Sequence, residues 1–140
     1  MYKKNDDLFA DITETQTIFV DMENGIFYVL PVFANVVFQL LISGKSIENI
    51  KKDFSAIPNI PSDYEQRIDY VFNALKEFHI IVEGQSGDTS MLQELNKHVI
   101  THLQESDFVY KITPSNDVQE LLLDDPIHDV SLEGWQPFAK

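Results

Sequence analysis

Between residues 17 and 83 the apolar positions change period several times, and each change marks an element. In "IFVDMENGIFYVLP" (residues 18–31) two runs rich in Ile, Val, Phe and Tyr flank Asn24-Gly25. A two-residue turn there predicts a hairpin, because Asn-Gly supplies the positive φ angles that such a turn requires. Phe19, Ile26, Tyr28 and Leu30 then share one face, and Val20, Met22, Phe27 and Val29 the other. Both faces are apolar, so both need cover. "LFADITET" (8–15) reads as a further strand, with Phe9 and Ile12 as its apolar positions. From Pro31 the step becomes three and four residues through Phe33, Val36, Val37, Leu40 and Leu41, predicting a helix that opens near the proline and stops at Ser43-Gly44. "SIENIKKDF" predicts a short helix capped by Ser46, with Ile47, Ile50 and Phe54 on one side. "SAIPNIPS" is a proline loop. Ser62 with Glu65 forms a capping-box signal for a long helix to about His79, striped by Ile68, Val71, Phe72, Leu75 and Phe78. "IIVEG" closes the unit as a strand.

After Gly84 the pattern weakens. "GQSGDTS" reads as a linker, and Leu92, Leu95, Val99 and Leu103 space as a helix that Ser90 and Gln93 would cap. "FVYKIT" (108–113) reads as a strand. Thr113-Pro114 resembles the start of a short helix carrying Val118, Leu121 and Leu122. The acidic tail contains the single Trp and follows no period. This organisation predicts a domain over residues 1–84 and a helix-rich extension over 85–140.

Composition removes function classes. The chain has 140 residues, a length that suits one core. It has no cysteine, which excludes disulfides, thiolate ligands and thiol nucleophiles. No apolar run reaches the length of a membrane span and the N-terminus lacks signal-peptide features, so the expectation is a cytoplasmic protein. Net charge is −13, from 23 acids against 10 bases. Phosphate contacts need a concentrated excess of Lys and Arg, so nucleic acid is not an expected partner. The long helix offers Arg67 and Lys76 against Asp63, Glu65, Asp69 and Glu77.

Candidate chemistry is sparse. His98 and His102 stand at i, i+4 on a predicted helix, a spacing that lets two imidazoles meet one ion, yet two ligands are half a site. His79 and His128 have no spacing that recruits them, and Asp124, Asp125 and Asp129 near His128 read as part of a generally acidic surface. G-x-S-x-G, P-loop and G-x-G-x-x-G patterns are lacking. The expectation is no catalytic residue, no metal ligand and no cofactor.

The order of helix, Gly turn, short helix, loop, long helix and strand is one used by winged helix-turn-helix domains. More specifically, "TIFVDMENGIFYVLPVFANVVFQLLISGKSIENIKKDF" and "IDYVFNALKEFHIIVEG" resemble the PqqD-like proteins, the peptide-binding recognition elements of ribosomally made, modified peptides. The resemblance spans about residues 9–84 and rests on hydrophobic spacing and turn residues. Family members commonly have Leu-Asn and Asp-Gly where this chain has Leu30-Pro31 and Ser43-Gly44. It implies an α+β fold, with a small three-stranded antiparallel sheet on three helices, joined here to a helical C-terminal extension. It also implies a non-catalytic protein that captures a precursor's leader peptide by strand addition and presents it to a modifying enzyme. Under that reading Ile26, Phe27, Tyr28, Val29 and Leu30 form the open edge, and Tyr64, Arg67, Ile68 and Val71 the helix wall, with Arg67 placed to pair with an acid of the leader. For Ile68 and Val71, ordinary core packing is an equal reading. The alternatives are a winged-helix regulator acting on DNA or through protein contacts, and a small metalloprotein using His98 and His102. Oligomeric state does not follow from the sequence.

Overall fold

The computed structural model describes residues 2–84, 92 and 94–115. Within them the chain is an α+β fold with four helices and two antiparallel sheets. The strands are β1 (Tyr2–Lys4), β2 (Phe9–Ile12), β3 (Thr17–Asp21), β4 (Ile26–Leu30), β5 (Ile81–Glu83) and β6 (Thr113–Ser115). The helices are α1 (Val32–Ile42), α2 (Ile47–Phe54), α3 (Tyr64–Glu77) and α4 (Lys97–Glu105). The single three-stranded sheet of the sequence reading is corrected. β6 extends β2-β3-β4 to a four-stranded sheet in the order β2-β3-β4-β6, and β1 pairs β5 in a second sheet.

The hairpin forms between the expected strands but two residues out of the expected register. Asp21 pairs Ile26 and Phe19 pairs Tyr28, leaving a four-residue loop, Met22 to Gly25. The Asp21 side chain decides this. Its carboxylate accepts from the Glu23 and Asn24 amides and from the Asn24 side chain, while the Gly25 amide donates to the Asp21 carbonyl. Only Gly25 needs a positive φ, +68°. A slip of two keeps the two faces of the ribbon as expected, apart from Met22, which projects from the loop. Thr17, Phe19, Tyr28 and Leu30 are buried against the helices. Ile18, Val20, Phe27 and Val29 are half-buried and stand outside the main core.

All ten residues from Phe33 to Ile42 of α1 are buried. This exceeds the one-sided stripe of the sequence reading and makes α1 the central element. Phe38 meets Phe19 edge-on at 5.1 Å and Phe33 meets Phe54 of α2 at the same distance. Two amides interrupt the apolar surface of α1, and both face the β2–β3 turn. Asn35 donates to the Thr13 and Glu14 carbonyls at 2.9 and 3.2 Å, and Gln39 donates to Thr13 at 3.1 Å. Thr17 Oγ1 donates to Asn35 Oδ1 at 2.6 Å. The turn is therefore fastened to the helix by buried polar bonds.

Helix ends follow local chemistry. Ser46 caps α2 as expected, accepting from the Asn49 amide at 3.2 Å. Pro31 sits at the N-cap of α1, one position before its first turn. The cap of α3 is Asp63 in place of Ser62, and its carboxylate holds Arg67 Nε at 2.9 Å instead of closing a capping box. α1, α3 and α4 end in the same double-bonded turn, with Lys45 reaching back to Leu40, Ile80 to Leu75, and Phe108 to Leu103. Gly44 supplies the required positive φ after α1, whereas His79 takes φ +58° after α3 and Asp107 +56° after α4.

The C-terminal half departs most from expectation. α4 begins at Lys97 with Asn96 as its cap, whose side chain accepts from the Val99 amide, so Leu92 and Leu95 precede the helix. Thr113-Pro114 opens a strand and not a helix. The linker residues 85–89, the Ser90–Gln93 cap and the segment with Val118, Leu121 and Leu122 lie outside the described residues.

Two substitutions test this account. His79→Gly relieves a left-handed backbone at the end of α3 and raises stability by about 0.5–1 kcal/mol, net of the entropy that glycine adds to the unfolded chain. Asn35→Leu keeps the branched shape but strands the Thr17 hydroxyl and the turn carbonyls, and lowers stability by at least about 2 kcal/mol. Urea denaturation measures both.

Candidate functional site

The outer edge of β4, which the sequence leaves open, is paired with the chain's own C-terminal segment. Phe27, Tyr28 and Val29 stand opposite Ser115, Pro114 and Thr113 in antiparallel register. Residues 107 and 108 take positive φ values and turn the chain out of α4. From there to Ile112 the side chains alternate. Phe108 and Ile112 are buried, Tyr110 is half-buried, and Val109 and Lys111 are exposed. Residues 108–115 thus form a strap running from the surface of α3 to the edge of β4.

Side chains of α3 and α1 hold the strap. Arg67 Nη1 donates to the Phe108 carbonyl at 3.1 Å, and its guanidinium lies over the Tyr110 ring at 5.1 Å. Tyr110 meets Tyr70 edge-on at 5.3 Å and Phe33 at 6.1 Å. Burying the Phe108 and Ile112 side chains contributes about 1.5–3 kcal/mol each. The Asp63–Arg67 pair is partly exposed and adds at most about 1 kcal/mol.

The sequence-predicted residues separate into two sets. Phe27 and Val29 lie on the half-buried outer face of β4, and Arg67 contacts the strap. Ile26 is half-buried beside the hairpin loop and Tyr64 half-buried at the start of α3. Tyr28 and Leu30 point inward, the Tyr28 ring lying 5.1 Å from that of Phe78. Burial, and secondarily the charge of Asp21, push the Tyr28 hydroxyl above its ordinary pKa and keep it neutral. Ile68 and Val71 are fully buried, so they back the wall and do not line it. The sequence reading did not include Phe33, Tyr70, Phe108 or Tyr110. Its available signal was the alternation in "FVYKIT", read as a strand over 108–113; the strand that forms is Thr113–Ser115, Phe108 takes a positive φ, and the alternation does not say what the inward side chains meet.

At the hairpin end of β4 a cleft of about 320 Å³ opens between the loop and the end of α3. Asp7, Asp21, Glu23 and Glu77 line it together with Ile26, Tyr28 and Phe78. The Asn24 side chain and then its amide, with a lesser contribution from the Glu23 amide, hold the Asp21 carboxyl below its usual pKa against an opposing effect of burial. The cleft is therefore anionic at neutral pH. β4 itself contributes Ile26 and Tyr28 to it, so it continues the edge that the strap covers.

No family model, curated protein or solved structure matches this chain. No helix among the described residues is long and apolar enough to cross a membrane.

Ile112→Ala tests the strap. Amides of β4 are expected to lose about 2–4 kcal/mol of protection from hydrogen exchange, while those of α1 keep theirs. Equal loss in both elements would show that the strap unfolds only with the whole chain.

Proposed function

We propose that the chain is a non-catalytic peptide-binding protein of the PqqD-like kind, taking the leader of a ribosomally made precursor as an added strand on β4 and presenting it to a modifying enzyme. The observation that carries this reading is the strap. Strand addition needs a sheet edge for backbone bonds and pockets for alternate side chains. Residues 108–115 use both, pairing with Phe27 to Val29 and placing Phe108, Tyr110 and Ile112 against the helices. A leader would exchange with this internal strand. The winged helix-turn-helix description of α1–α3 with the β3–β4 hairpin belongs to the same reading, as does a cytoplasmic location.

Exchange has an energetic consequence. The strap is tethered, so it competes at an effective concentration on the order of millimolar. The leader's apparent affinity falls in proportion to the fraction of chains with the strap open. Each ~2.8 kcal/mol of strap stability weakens binding about 100-fold. Arg67, engaged with Phe108 and Asp63, becomes available to an acid of the leader only when the strap leaves. The anionic cleft beyond Ile26 favours a basic side chain at the end of the leader that lies beside the hairpin loop. Acids on α3 count against a DNA-reading alternative, since Glu65, Asp69 and Glu77 would face phosphates.

Titrating the ¹⁵N-labelled chain with a synthetic peptide from the leader region of a neighbouring precursor gene tests the reading. Shifts are expected at residues 26–30, 64–71 and 108–115, and Ile112→Ala should tighten binding about tenfold or more. No shift, or shifts confined to the other sheet edge at residues 9–12, would overturn it.

A further inference from the structure

Glu14, in the turn between β2 and β3, stands against His98 and His102, which are one turn apart on α4. Their ligand-type atoms all lie within 4.8 Å of one another. His98 Nε2 is 2.8 Å from Glu14 Oε1 and 3.2 Å from His102 Nε2. The two rings meet edge to face with centroids 4.4 Å apart.

Hydrogen bonding alone does not satisfy this arrangement. A ring nitrogen carries either one proton or one lone pair toward its partners. If His98 Nε2 donates to Glu14, it has no second proton for His102. If it accepts from His102, it turns a lone pair toward a carboxylate. No protonation state gives both short contacts a full hydrogen bond. A cation among the three atoms does, because each then presents a lone pair to it. Two nitrogens bound at 2.0–2.1 Å to one tetrahedral ion stand about 3.3 Å apart, close to the separation of the two imidazoles. To complete the same geometry Glu14 Oε1 needs to withdraw from His98 by about half an ångström and move closer to His102, from which it stands within 4.8 Å.

Both sides of the cluster are held in place independently. The Glu14 carbonyl is bonded by buried Asn35, and the neighbouring Thr13 carbonyl by Asn35 and Gln39. α4 is seated through buried Val99 and Leu103. His102 Nδ1 lies 3.8 Å from Glu105 Oε1. With Nε2 on a metal, the proton of that ring sits on Nδ1 and faces this carboxylate, which would have to draw closer to accept it as the outer partner that metal-bound histidines commonly have.

We propose that Glu14, His98 and His102 form a binding site for a divalent transition-metal cation, zinc by its donor set of two imidazoles and one carboxylate. Three protein ligands leave a fourth position for water. The ion joins the β2–β3 turn to α4, elements distant in sequence, and so anchors the helix that leads into the strap. The inference stands on this geometry and does not depend on peptide binding.

Calorimetric titration of the full chain with zinc chloride, after chelator treatment and removal of the chelator, is expected to show one ion per chain. His98→Ala, His102→Ala and Glu14→Gln should each weaken binding at least about tenfold, and His79→Ala should not. Cobalt(II) should give the visible absorption of a four-coordinate ion, lost in His102→Ala. In the unsubstituted chain, zinc should shift the ring ¹⁵N signals of both histidines at Nε2, a readout that holds even if a variant folds poorly. Absence of a stoichiometric ion, or unchanged ring signals on zinc addition, would overturn the site.

Discussion

The structure depends on a helix that has no face for water. Every residue of α1 from Phe33 to Ile42 is buried, and a helix apolar all round is stable in a globular protein only when other elements enclose it. The hairpin closes one side through Phe19, and α2 closes another through Phe54. β1, α3 and α4 also pack on it. The two amides on α1 are accommodated because they meet the carbonyls of a turn that has its own need for donors. Enclosure of α1 accounts for the position of α4, which packs on a flank of it.

The same enclosure explains which parts of the fold were legible in the sequence. The hairpin strands, α1, α2, α3 and β5 announce themselves through period, caps and breakers, all of which act within a few residues. The hairpin register was misread because Asn24-Gly25 is a strong local signal. The Asp21 carboxylate, three residues earlier, organises a longer loop. β1 was missed because "YKK" has no period, and its pairing with β5 comes from residues far along the chain. Thr113-Pro114 carries a helix-start signal that is overridden by a sheet edge some eighty positions upstream. Long-range pairing decides these cases, and single-sequence patterns do not encode it.

The candidate site was legible in the same partial way. The sequence reading leaves β4 as an open edge, whereas β6 pairs with it; Phe27 and Val29 lie on its outer face and Arg67 contacts the strap. Helical spacing could not separate Ile68 and Val71, which support the wall from inside, from Tyr70, which faces Tyr110. For the histidine pair, spacing on α4 was visible but the third partner was not. Glu14 reaches it only because Asn35 fastens the turn that carries it.

The position of the strap in the chain orders events during synthesis. β4 emerges well before residues 108–115, and at about 5–20 residues per second its edge waits several seconds for its partner. An unpaired edge beside apolar side chains is a template for any other extended segment. The nascent protein therefore passes through an interval in which β4 is open without the cost of expelling the strap. Any segment paired with β4 in that interval would have to be displaced before the strap could take its place.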